Sequence, residues 1–313
     1  MDTAHPPIVG AIEAGGTKFV CAVGSGPGRG LRAREQFATG DDPARVLAQV
    51  TEWLRAQERA HGPLAALGIA SFGPVDLDPR SATYGRITTT PKPGWRGADL
   101  VGAIGRAFPG RPVGFDTDVN GAALGEWKWG AARGLEDFVY VTVGTGIGGG
   151  AMARGQLLHG LVHPEMGHIP MPVLDGDAFP GACRIHGRCW EGLCAGPAIA
   201  ARAGRPAEDL PPDHPAWDIT LRYLAHALAT LTCVLSPRRI IVGGSVRKAG
   251  QLGETAFFGR LRRQLPEVLN GYIDSPALSR SGIADFIVPP ALGDDAGVCG
   301  AMVLAQQAIR GSG

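Results

Sequence analysis

A short segment rich in cysteine and histidine is the part of the sequence whose residue types point most directly to chemistry. Cys183, His186 and Cys189 are separated by two residues each, and Cys194 follows after four more. Structural zinc sites take four sulfur or nitrogen ligands in tetrahedral geometry, and ligands at this spacing can close on one ion. The pattern therefore predicts a metal site, with a surface loop of isolated thiols as the alternative.

Two glycine-rich turns predict a phosphate site. The segment Glu13–Lys18 would turn backbone N–H groups, a hydroxyl and a cation towards one anion through Gly15, Gly16, Thr17 and Lys18. A Gly-Gly turn is also common in plain hairpins. The second turn, within Thr142–Gly150, holds Thr145, Gly146 and Gly148, and its five glycines exceed what a hairpin needs. No Gly-Lys-Ser or Gly-Lys-Thr leads into a helix, so the pattern indicates a nucleotide site other than a Walker A loop.

A third glycine site, Gly243-Gly244, ends the strand pattern Arg239–Val242. Open α/β sheets bind ligands at the carboxyl ends of their strands, which makes adenosine the natural ligand here. A tight turn from strand to helix would need the same residues, and the residues alone leave both interpretations open.

Asp118 is a candidate general base. Phosphoryl transfer needs aligned reactants, charge neutralisation and one group that accepts the hydroxyl proton. Asp118 follows the strand pattern Arg111–Phe115 and opens the helix pattern Val119–Trp127. An aspartate at that position would equally serve as a helix N-cap, and from the residues alone the cap is the favoured interpretation.

Strands and helices must position these residues. Their sequence patterns alternate along the chain, and this alternation predicts an α/β fold. A strand, a glycine-rich turn and a return strand at 138–153 repeat the opening pattern at 8–23, which indicates two similar halves. Because 313 residues exceed what one core usually organises, we expect two lobes with a cleft between them. The predicted small lobe is 1–117 plus 296–313, and the large lobe is 118–295 with the metal-binding loop.

Composition excludes several classes of protein. Lys and Arg total 30 against 29 for Asp and Glu, so nucleic acid is not expected as a partner. Apolar stretches are interrupted before the roughly 18 to 20 residues that a membrane span needs. The opening MDTAHPPIVG lacks the pattern of a signal peptide. We expect a cytoplasmic protein with no membrane partner.

The strings GAIEAGGTKFVCAVG, TDVNGAALGE, TVGTGIGGG, HPEMGHIP and CRIHGRCWEG, in this order, resemble the ROK family of bacterial sugar kinases from Ile8 to about Ile309. Glu13, TTPKPGW and the Cys-x2-His-x2-Cys element are similar to its fructokinase branch. The resemblance implies a two-lobed actin/hexokinase-like (ribonuclease H-like) fold that binds ATP and a hexose in the interlobe cleft. It also implies transfer of phosphate from ATP to D-fructose, giving fructose 6-phosphate, with Mg2+ accompanying ATP, a structural Zn2+ and a homodimer.

The resemblance also assigns roles to residues. Asp118 becomes the general base, and His168 becomes the fourth metal ligand beside Cys183, His186 and Cys189, in competition with Cys194. The implied ATP and phosphate contacts are Glu13, Gly15, Gly16, Thr17, Lys18, Thr145, Gly146, Gly148, Gly243 and Gly244. The implied sugar contacts are Gly73, Thr117, Asp118, Glu165, His168 and Glu191. Thr117 replaces the commoner Asn, and Glu13 the commoner Asp.

Other functions stay open at this stage. A pocket that binds hydroxyls can accept several epimers, so glucose, mannose or N-acetylmannosamine are alternative acceptors. A sugar-responsive regulator would need a DNA-binding element, and only seven residues precede the first predicted strand. A zinc hydrolase would need an open metal position. In the stiff loop Thr88–Trp95, Trp95 either closes over a sugar face or belongs to the core.

Overall fold

The computed structural model describes residues 6–311, so the extreme ends of the predicted small lobe and the first half of the segment considered as a signal peptide lie outside the described residues. Backbone contacts divide the chain into two compact units. Unit 1 comprises the chain up to Arg133, His159–His163 and the chain from Asp295 onward; unit 2 comprises Gly134–Leu158 and Pro164–Asp294.

Each unit contains one five-stranded mixed sheet. The strands of unit 1 are β1 Val9–Ala14, β2 Lys18–Gly24, β3 Leu31–Ala38, β4 Leu67–Ser71 and β5 Val113–Thr117. The strands of unit 2 are β6 Phe138–Val143, β7 Ile147–Ala153, β8 Gln156–Leu157, β9 Ile240–Gly243 and β10 Ile287–Val288.

The helices of unit 1 are α1 Pro43–His61, α2 Leu100–Ala107, α3 Asp118–Trp129 and α9 Ala296–Gly311. Those of unit 2 are α4 Trp190–Cys194, α5 Gly196–Ala203, α6 Pro215–Leu235, α7 Gly253–Leu269 and α8 Ile283–Phe286. Among residues 6–311, no helix is both long enough and apolar enough to span a membrane.

The two sheets share one plan. In unit 1 the order is β3-β2-β1-β4-β5, with β1 and β2 antiparallel and β4 and β5 parallel to β1. In unit 2 the order is β10-β9-β6-β7-β8, again with an antiparallel hairpin, β6–β7, beside a parallel strand. Each sheet therefore presents its hairpin turn at the same edge as the carboxyl ends of its parallel strands. The predicted repeat of strand, turn and strand is present in both units.

Helix α1 illustrates how local sequence sets these elements. The Asp42 side chain accepts a hydrogen bond from the backbone N–H of Arg45, and Pro43 occupies the first turn, where its missing N–H costs nothing. Val46, Val50 and Leu54 recur at helical spacing and are buried against the unit 1 sheet.

Helix α9 packs on the unit 1 sheet and on α3 through small residues. A Cβ atom on Gly300 would clash with the backbone of Gly121 in α3, and one on Gly68 of β4 would clash with the carbonyl of Ala301. The backbones thus approach more closely than side chains would permit. This packing explains why the end of the chain belongs to unit 1.

The boundary between the units differs from the one predicted at residue 118. Helix α3 belongs to unit 1, which continues to Arg133, because its glycine face packs against α9. The chain also returns to unit 1 at His159–His163, which no sequence pattern indicated.

The second glycine-rich turn is shorter than predicted. Gly148, Gly149 and Gly150 lie in β7, where Gly148 pairs with Thr142. A Cβ atom on Gly149 would collide with the side chain of Met166, so glycine makes room for packing there.

Trp95 belongs to the core, which is the second of the two interpretations that the sequence left open. Its side chain is fully buried, its ring lies 5.3 Å from that of Phe19 and 5.5 Å from that of Phe72, and its Nε1 donates to the carbonyl of Gly40 at 3.0 Å. An indole buried in this way is held by packing and one hydrogen bond.

Candidate functional site

The β1–β2 turn in unit 1 is a tight backbone loop with an open outer face. Gly15 N–H donates to the carbonyl of Lys18 at 3.0 Å, which closes the turn. From the end of β3, the buried Thr39 donates its hydroxyl to the carbonyl of Gly15 at 2.7 Å and its N–H to the carbonyl of Thr17 at 3.0 Å. A Cβ atom on Gly16 would meet nothing within 4 Å, so a ligand can approach the backbone there. Thr39 carries no sequence signal because its partners are backbone atoms.

Glu13 lies behind this turn and carries an unsatisfied oxygen. Its Oε2 is buried and has no hydrogen-bond partner among the described residues. Burial, reinforced by the nearby charge of Asp118, raises the pKa of Glu13 from 4.5 to about 7. A Cβ atom on Gly297, at the start of α9, would clash with this carboxyl group. The glycine therefore makes room for the longer acid, a relation that sequence reading missed.

Asp118 opens helix α3, but the helix cap is Thr117. The Thr117 hydroxyl accepts a hydrogen bond from the N–H of Asn120 at 3.1 Å, so the cap role favoured for Asp118 from the residues alone is wrong. One oxygen of Asp118 accepts from the N–H of Val119 at 2.9 Å. Burial raises the pKa of Asp118 to about 6, because removing the carboxylate from water outweighs that hydrogen bond.

A buried acid that sequence reading missed lies directly before these residues. Asp116 accepts hydrogen bonds from the N–H of Thr117 and the side-chain amide of Asn120, both at 2.7 Å. His159 Nε2 lies 2.9 Å from its other oxygen. Asp116 thus fixes the backbone at the point where β5 gives way to α3.

Gly73, another predicted sugar contact, lies just after β4 in the same unit. The bond between Gly73 and Pro74 is a cis peptide. A Cβ atom on Gly73 would come within 3.4 Å of the ring of His163, whose Nε2 accepts a hydrogen bond from the N–H of Val75 at 3.3 Å. His159 carries no sequence signal, and His163, although it begins the string HPEMGHIP, was assigned no role from the sequence.

In unit 2 the β6–β7 turn rests on Glu191. The turn closes through Gly144 N–H, which donates to the carbonyl of Gly146 at 2.9 Å. The carboxylate of Glu191, from α4, accepts a hydrogen bond from the N–H of Ile147 at 3.0 Å. A Cβ atom on Gly146 would lie 2.7 Å from the same oxygen, so a larger residue here would displace the Glu191 carboxylate. The predicted sugar contact Glu191 and the predicted phosphate contact Gly146 are thereby neighbours.

Gly243 and Gly244, at the end of β9, are explained by close packing within unit 2. Gly244 has a φ of +85°, and a Cβ atom there would clash with the carbonyl of Val143. A Cβ atom on Gly243 would collide with the hydroxyl of Tyr140. The tight turn accounts for both glycines, and an adenosine contact stays a prediction.

Glu165 and His168 lie on one short helical turn. The 3-10 helix Met166–His168 starts directly after Glu165, and His168 N–H donates to the carbonyl of Glu165 at 3.0 Å. Residues three apart in such a turn project from the same side. The Glu-x2-His spacing therefore brings an exposed carboxylate close to the metal-binding group.

The predicted metal ligands converge. His168, Cys183, His186 and Cys189 offer ligand atoms that all lie within 4.8 Å of one another. His168 Nδ1 is 3.5 Å from Cys189 Sγ and 4.0 Å from Cys183 Sγ, close to the edge lengths of a tetrahedral zinc site. Burial, with a smaller contribution from the Cys183 thiol, raises the pKa of Cys189 to about 11. A bound cation would therefore be needed to stabilise the thiolate form of Cys189 at neutral pH.

Cys194 does not belong to this group. It is fully buried in α4, and its thiol donates to the carbonyl of Thr220 at 3.5 Å. Of the two candidates for the fourth position, the geometry favours His168.

An ionic network holds the loop that carries these ligands. Asp177 accepts hydrogen bonds from Arg202 of α5 at 3.2 Å and from the hydroxyl of Tyr223 of α6 at 2.6 Å, and Arg188 donates to that hydroxyl at 2.7 Å. Burial alone would raise the pKa of Asp177, but the hydrogen bonds from Arg202 and Tyr223 outweigh it and hold the pKa well below its usual range. The loop is therefore tied to unit 2 next to Cys189.

Comparison with known proteins places the chain in a family. The model of the ROK family matches residues 9–308. The chain belongs to the ROK family. It is 45% identical over 303 residues to a putative fructokinase of Bacillus subtilis, with 97% of each chain covered. It is 44% identical over 305 residues to the fructokinase of Zymomonas mobilis, covering 95% of this chain and 96% of that one.

Solved structures of ROK proteins share the fold. The crystal structure of a ROK hexokinase from Thermus thermophilus superposes with a TM-score of 0.76 at 27% identity, covering 97% of this chain and 99% of that chain. A ROK glucokinase from Streptomyces griseus, solved with glucose and AMPPNP, gives a TM-score of 0.71 at 25% identity, covering 96% and 99%. The predicted family resemblance and α/β fold class are thereby confirmed.

Proposed function

We propose that this ROK protein is an ATP-dependent fructokinase that converts D-fructose to fructose 6-phosphate. The observation that carries the proposal is the 44% identity to the Zymomonas mobilis fructokinase over nearly the whole length of both chains. Fructokinases from Pediococcus pentosaceus and Streptococcus mutans, 39% and 38% identical, support the same substrate. The matched glucokinases are more distant, at 29% and 27% identity.

Asp118 is the general base in this proposal. Its carboxylate accepts the proton of the fructose 6-hydroxyl as that oxygen forms a bond to the γ-phosphorus of ATP. The bond between the γ-phosphorus and the β,γ-bridging oxygen breaks, and ADP leaves with the bond electrons. A carboxylate whose pKa is near 6 is ionised at neutral pH yet is a stronger base than an exposed aspartate.

Backbone amides and one cation would hold the phosphates. In unit 1 the candidates are Gly15, Gly16, Thr17 and Lys18, in the turn whose outer face is open. In unit 2 they are Thr145 and Gly146, with Gly148 in the following strand and Gly243 and Gly244 towards the nucleoside.

The unsatisfied carboxyl oxygen of Glu13 suits Mg2+, directly or through a water ligand, because magnesium prefers oxygen donors. The ion would supply charge neutralisation of the ATP phosphates.

The proposed hexose contacts are Gly73, Thr117 and Asp118 in unit 1, and Glu165, His168 and Glu191 in unit 2. Thr117 uses its oxygen to cap α3, and its O–H remains a donor for a sugar hydroxyl. His168 directs Nδ1 to the cysteines, which leaves Nε2 for the sugar.

The metal group fits a structural Zn2+ held by His168, Cys183, His186 and Cys189. Four protein ligands leave no position for an activated water, which argues against a zinc hydrolase. The ion would fix the loop between Glu165 and Glu191.

A cytoplasmic location and a homodimer are part of the proposal. All six cysteines lie within residues 6–311 and none of them forms a disulfide, which suits a reducing compartment. Analytical ultracentrifugation of the purified chain tests the dimer.

A panel of hexoses with ATP and Mg2+, followed by coupled detection of ADP, tests the activity. We expect kcat/KM to be highest for fructose, with glucose, mannose and N-acetylmannosamine at least tenfold lower. Higher kcat/KM for one of the other sugars would reassign the substrate. Absence of ADP release with every sugar would overturn the assignment as a kinase and would favour a sugar-binding regulator.

A further inference from the structure

The chain enters unit 1 for five residues, His159–His163, between two stretches that belong to unit 2. The segment turns on itself, since Gly160 N–H donates to the carbonyl of Val162 at 3.1 Å. At its tip, Leu161 is fully exposed and Val162 is 59% exposed. Hydrophobic burial at the tip therefore does not hold the segment in unit 1, and its two histidines make the specific contacts.

His159 binds the acid that precedes the base. Its Nε2 lies 2.9 Å from Asp116, whose side chain is 6% exposed while that of His159 is 41% exposed. Because the partner is a carboxylate acceptor, Nε2 carries the hydrogen and donates. Asn120 donates to the other oxygen of Asp116, so the two donors converge on one acid. That acid also accepts the N–H of Thr117, which adjoins Asp118.

His163 binds the loop that follows Gly73. Its Nε2 accepts from the N–H of Val75 at 3.3 Å, so this nitrogen carries no hydrogen. The side chain is 6% exposed, and its ring is the neighbour that a Cβ atom on Gly73 would meet. Loss of the acceptor would leave a buried N–H without a partner, which is unfavourable.

We propose that His159 and His163 are positioning residues of the hexose site. His159 fixes Asp116 and, through it, the Thr117–Asp118 step, and His163 fixes the Gly73–Pro74–Val75 loop. Both also anchor the segment His159–His163, which ends two residues before Glu165. The proposal rests on the proposed function, because it assumes that these residues bind the sugar.

Paired substitutions separate positioning from general stability. Glutamine can place a terminal nitrogen or oxygen near the position of Nε2, whereas the shorter asparagine cannot reach it. We expect His159→Asn and His163→Asn to raise the KM for fructose about tenfold, because the loss of one such hydrogen bond typically changes an equilibrium constant by about tenfold or more. The KM for ATP should stay within about twofold of wild type. His159→Gln and His163→Gln should restore the KM for fructose to within about threefold of wild type.

His61→Asn, at the end of α1 and outside the site, is the matched control and should behave like wild type. A KM for fructose within twofold of wild type in both Asn variants would overturn the proposal. An equal rise in both KM values with no rescue by Gln would do so as well, since it indicates a merely structural role. Wild-type protein that phosphorylates no hexose would instead overturn the proposed function, and this inference with it. The two histidines form separate hydrogen bonds. If one variant of His159 or of His163 does not fold, the Asn and Gln variants of the other histidine still test the proposal.

Discussion

At the scale of the residue, two carboxyl groups of unit 1 carry charges that burial makes unfavourable. Glu13 and Asp118 have pKa values raised to about 7 and about 6, and the charge of Asp118 contributes to the shift of Glu13. Protein interiors tolerate such groups where a ligand or a proton compensates them. Their position beside an open backbone turn agrees with a role in binding a cation and accepting a proton.

The first prediction concerns the base. Asp118→Asn should lower kcat by at least about a thousandfold, because the amide cannot accept the sugar proton, while fructose still binds in isothermal titration. Asp285→Asn, at an exposed position on α8, is the control. Turnover within tenfold of wild type would refute the assignment.

The second prediction concerns pH. Both groups must be ionised for catalysis, and their pKa values are raised to about 7 and about 6, so kcat/KM should be constant only above about pH 8 and should fall as the pH drops through 7 to 6. The midpoint belongs to the pair, because the groups interact. A profile of kcat/KM for fructose from pH 4.5 to 9 measures it, and a midpoint below about 5 would contradict the prediction.

The third prediction links Glu13 to stability. Its folded pKa of about 7 exceeds the ordinary 4.5, so the folded state favours the protonated form. Stability from this group is fully present below pH 4.5 and is lost as the pH rises to 7, by up to roughly 3 kcal/mol. Glu13→Gln should therefore raise Tm at pH 8, leave it nearly unchanged at pH 4.5, and lower kcat. An equal change of Tm at both pH values would show that charge burial is not the cause.

At the scale of the element, the loop between the 3-10 turn of His168 and helix α4 has little regular structure and two separate anchors. One is the metal-binding group, and the other is the network of Asp177 with Arg188, Arg202 and Tyr223. The network joins one carboxylate to two guanidinium groups and a tyrosine hydroxyl by direct contacts, and none of these four side chains is a metal ligand. Loss of the metal should therefore loosen the part of the loop that carries the metal ligands, while the Asp177 network keeps the loop attached to α5 and α6.

The fourth prediction tests that division. Removal of the metal with a chelator should raise the KM for fructose at least tenfold and speed proteolysis between 165 and 190, and added Zn2+ should reverse both effects. Cys189→Ser should lose the metal, measured by mass spectrometry of the purified protein. Cys194→Ala, at the last residue of α4 and outside the group, should retain one equivalent of metal. Loss of the metal in the Cys194 variant would indicate that Cys194, and not His168, is the fourth ligand.

At the scale of the whole molecule, unit 1 is assembled from three separate parts of the chain. Its core depends on α9, which packs through glycines on β4 and on α3 and brings Gly297 against Glu13. The last helix is thus a structural element of the unit that contains the proposed base.

The fifth prediction follows from this packing. A chain that ends at residue 294 should leave the unit 1 sheet exposed, lose cooperative unfolding and bind an apolar dye. Gly300→Val in the full chain should destabilise it by about 1–3 kcal/mol or more, because the side chain has no space against α3. Gly311→Val, at the exposed end of the same helix, is the control, and equal effects of the two substitutions in thermal unfolding would refute the packing argument.

Sequence by itself determined the local features of this protein. The two glycine-rich hairpin turns and the Cys-x2-His-x2-Cys spacing depend on residues close along the chain, and ordered motifs over nearly the full length indicated the ROK family. Tertiary structure decided what depends on distant partners. It identified Thr117 as the cap in place of Asp118, buried Trp95 in the core and separated Cys194 from the metal group.

Space and backbone partners explain the rest of that difference. Gly297 is informative only once Glu13 lies beside it, and Thr39, His159 and His163 act on groups that are far away in the chain. The glycines of the phosphate turns were recognisable as a pattern. Their reasons, such as Glu191 beneath Gly146, arise from close contacts that only folding creates.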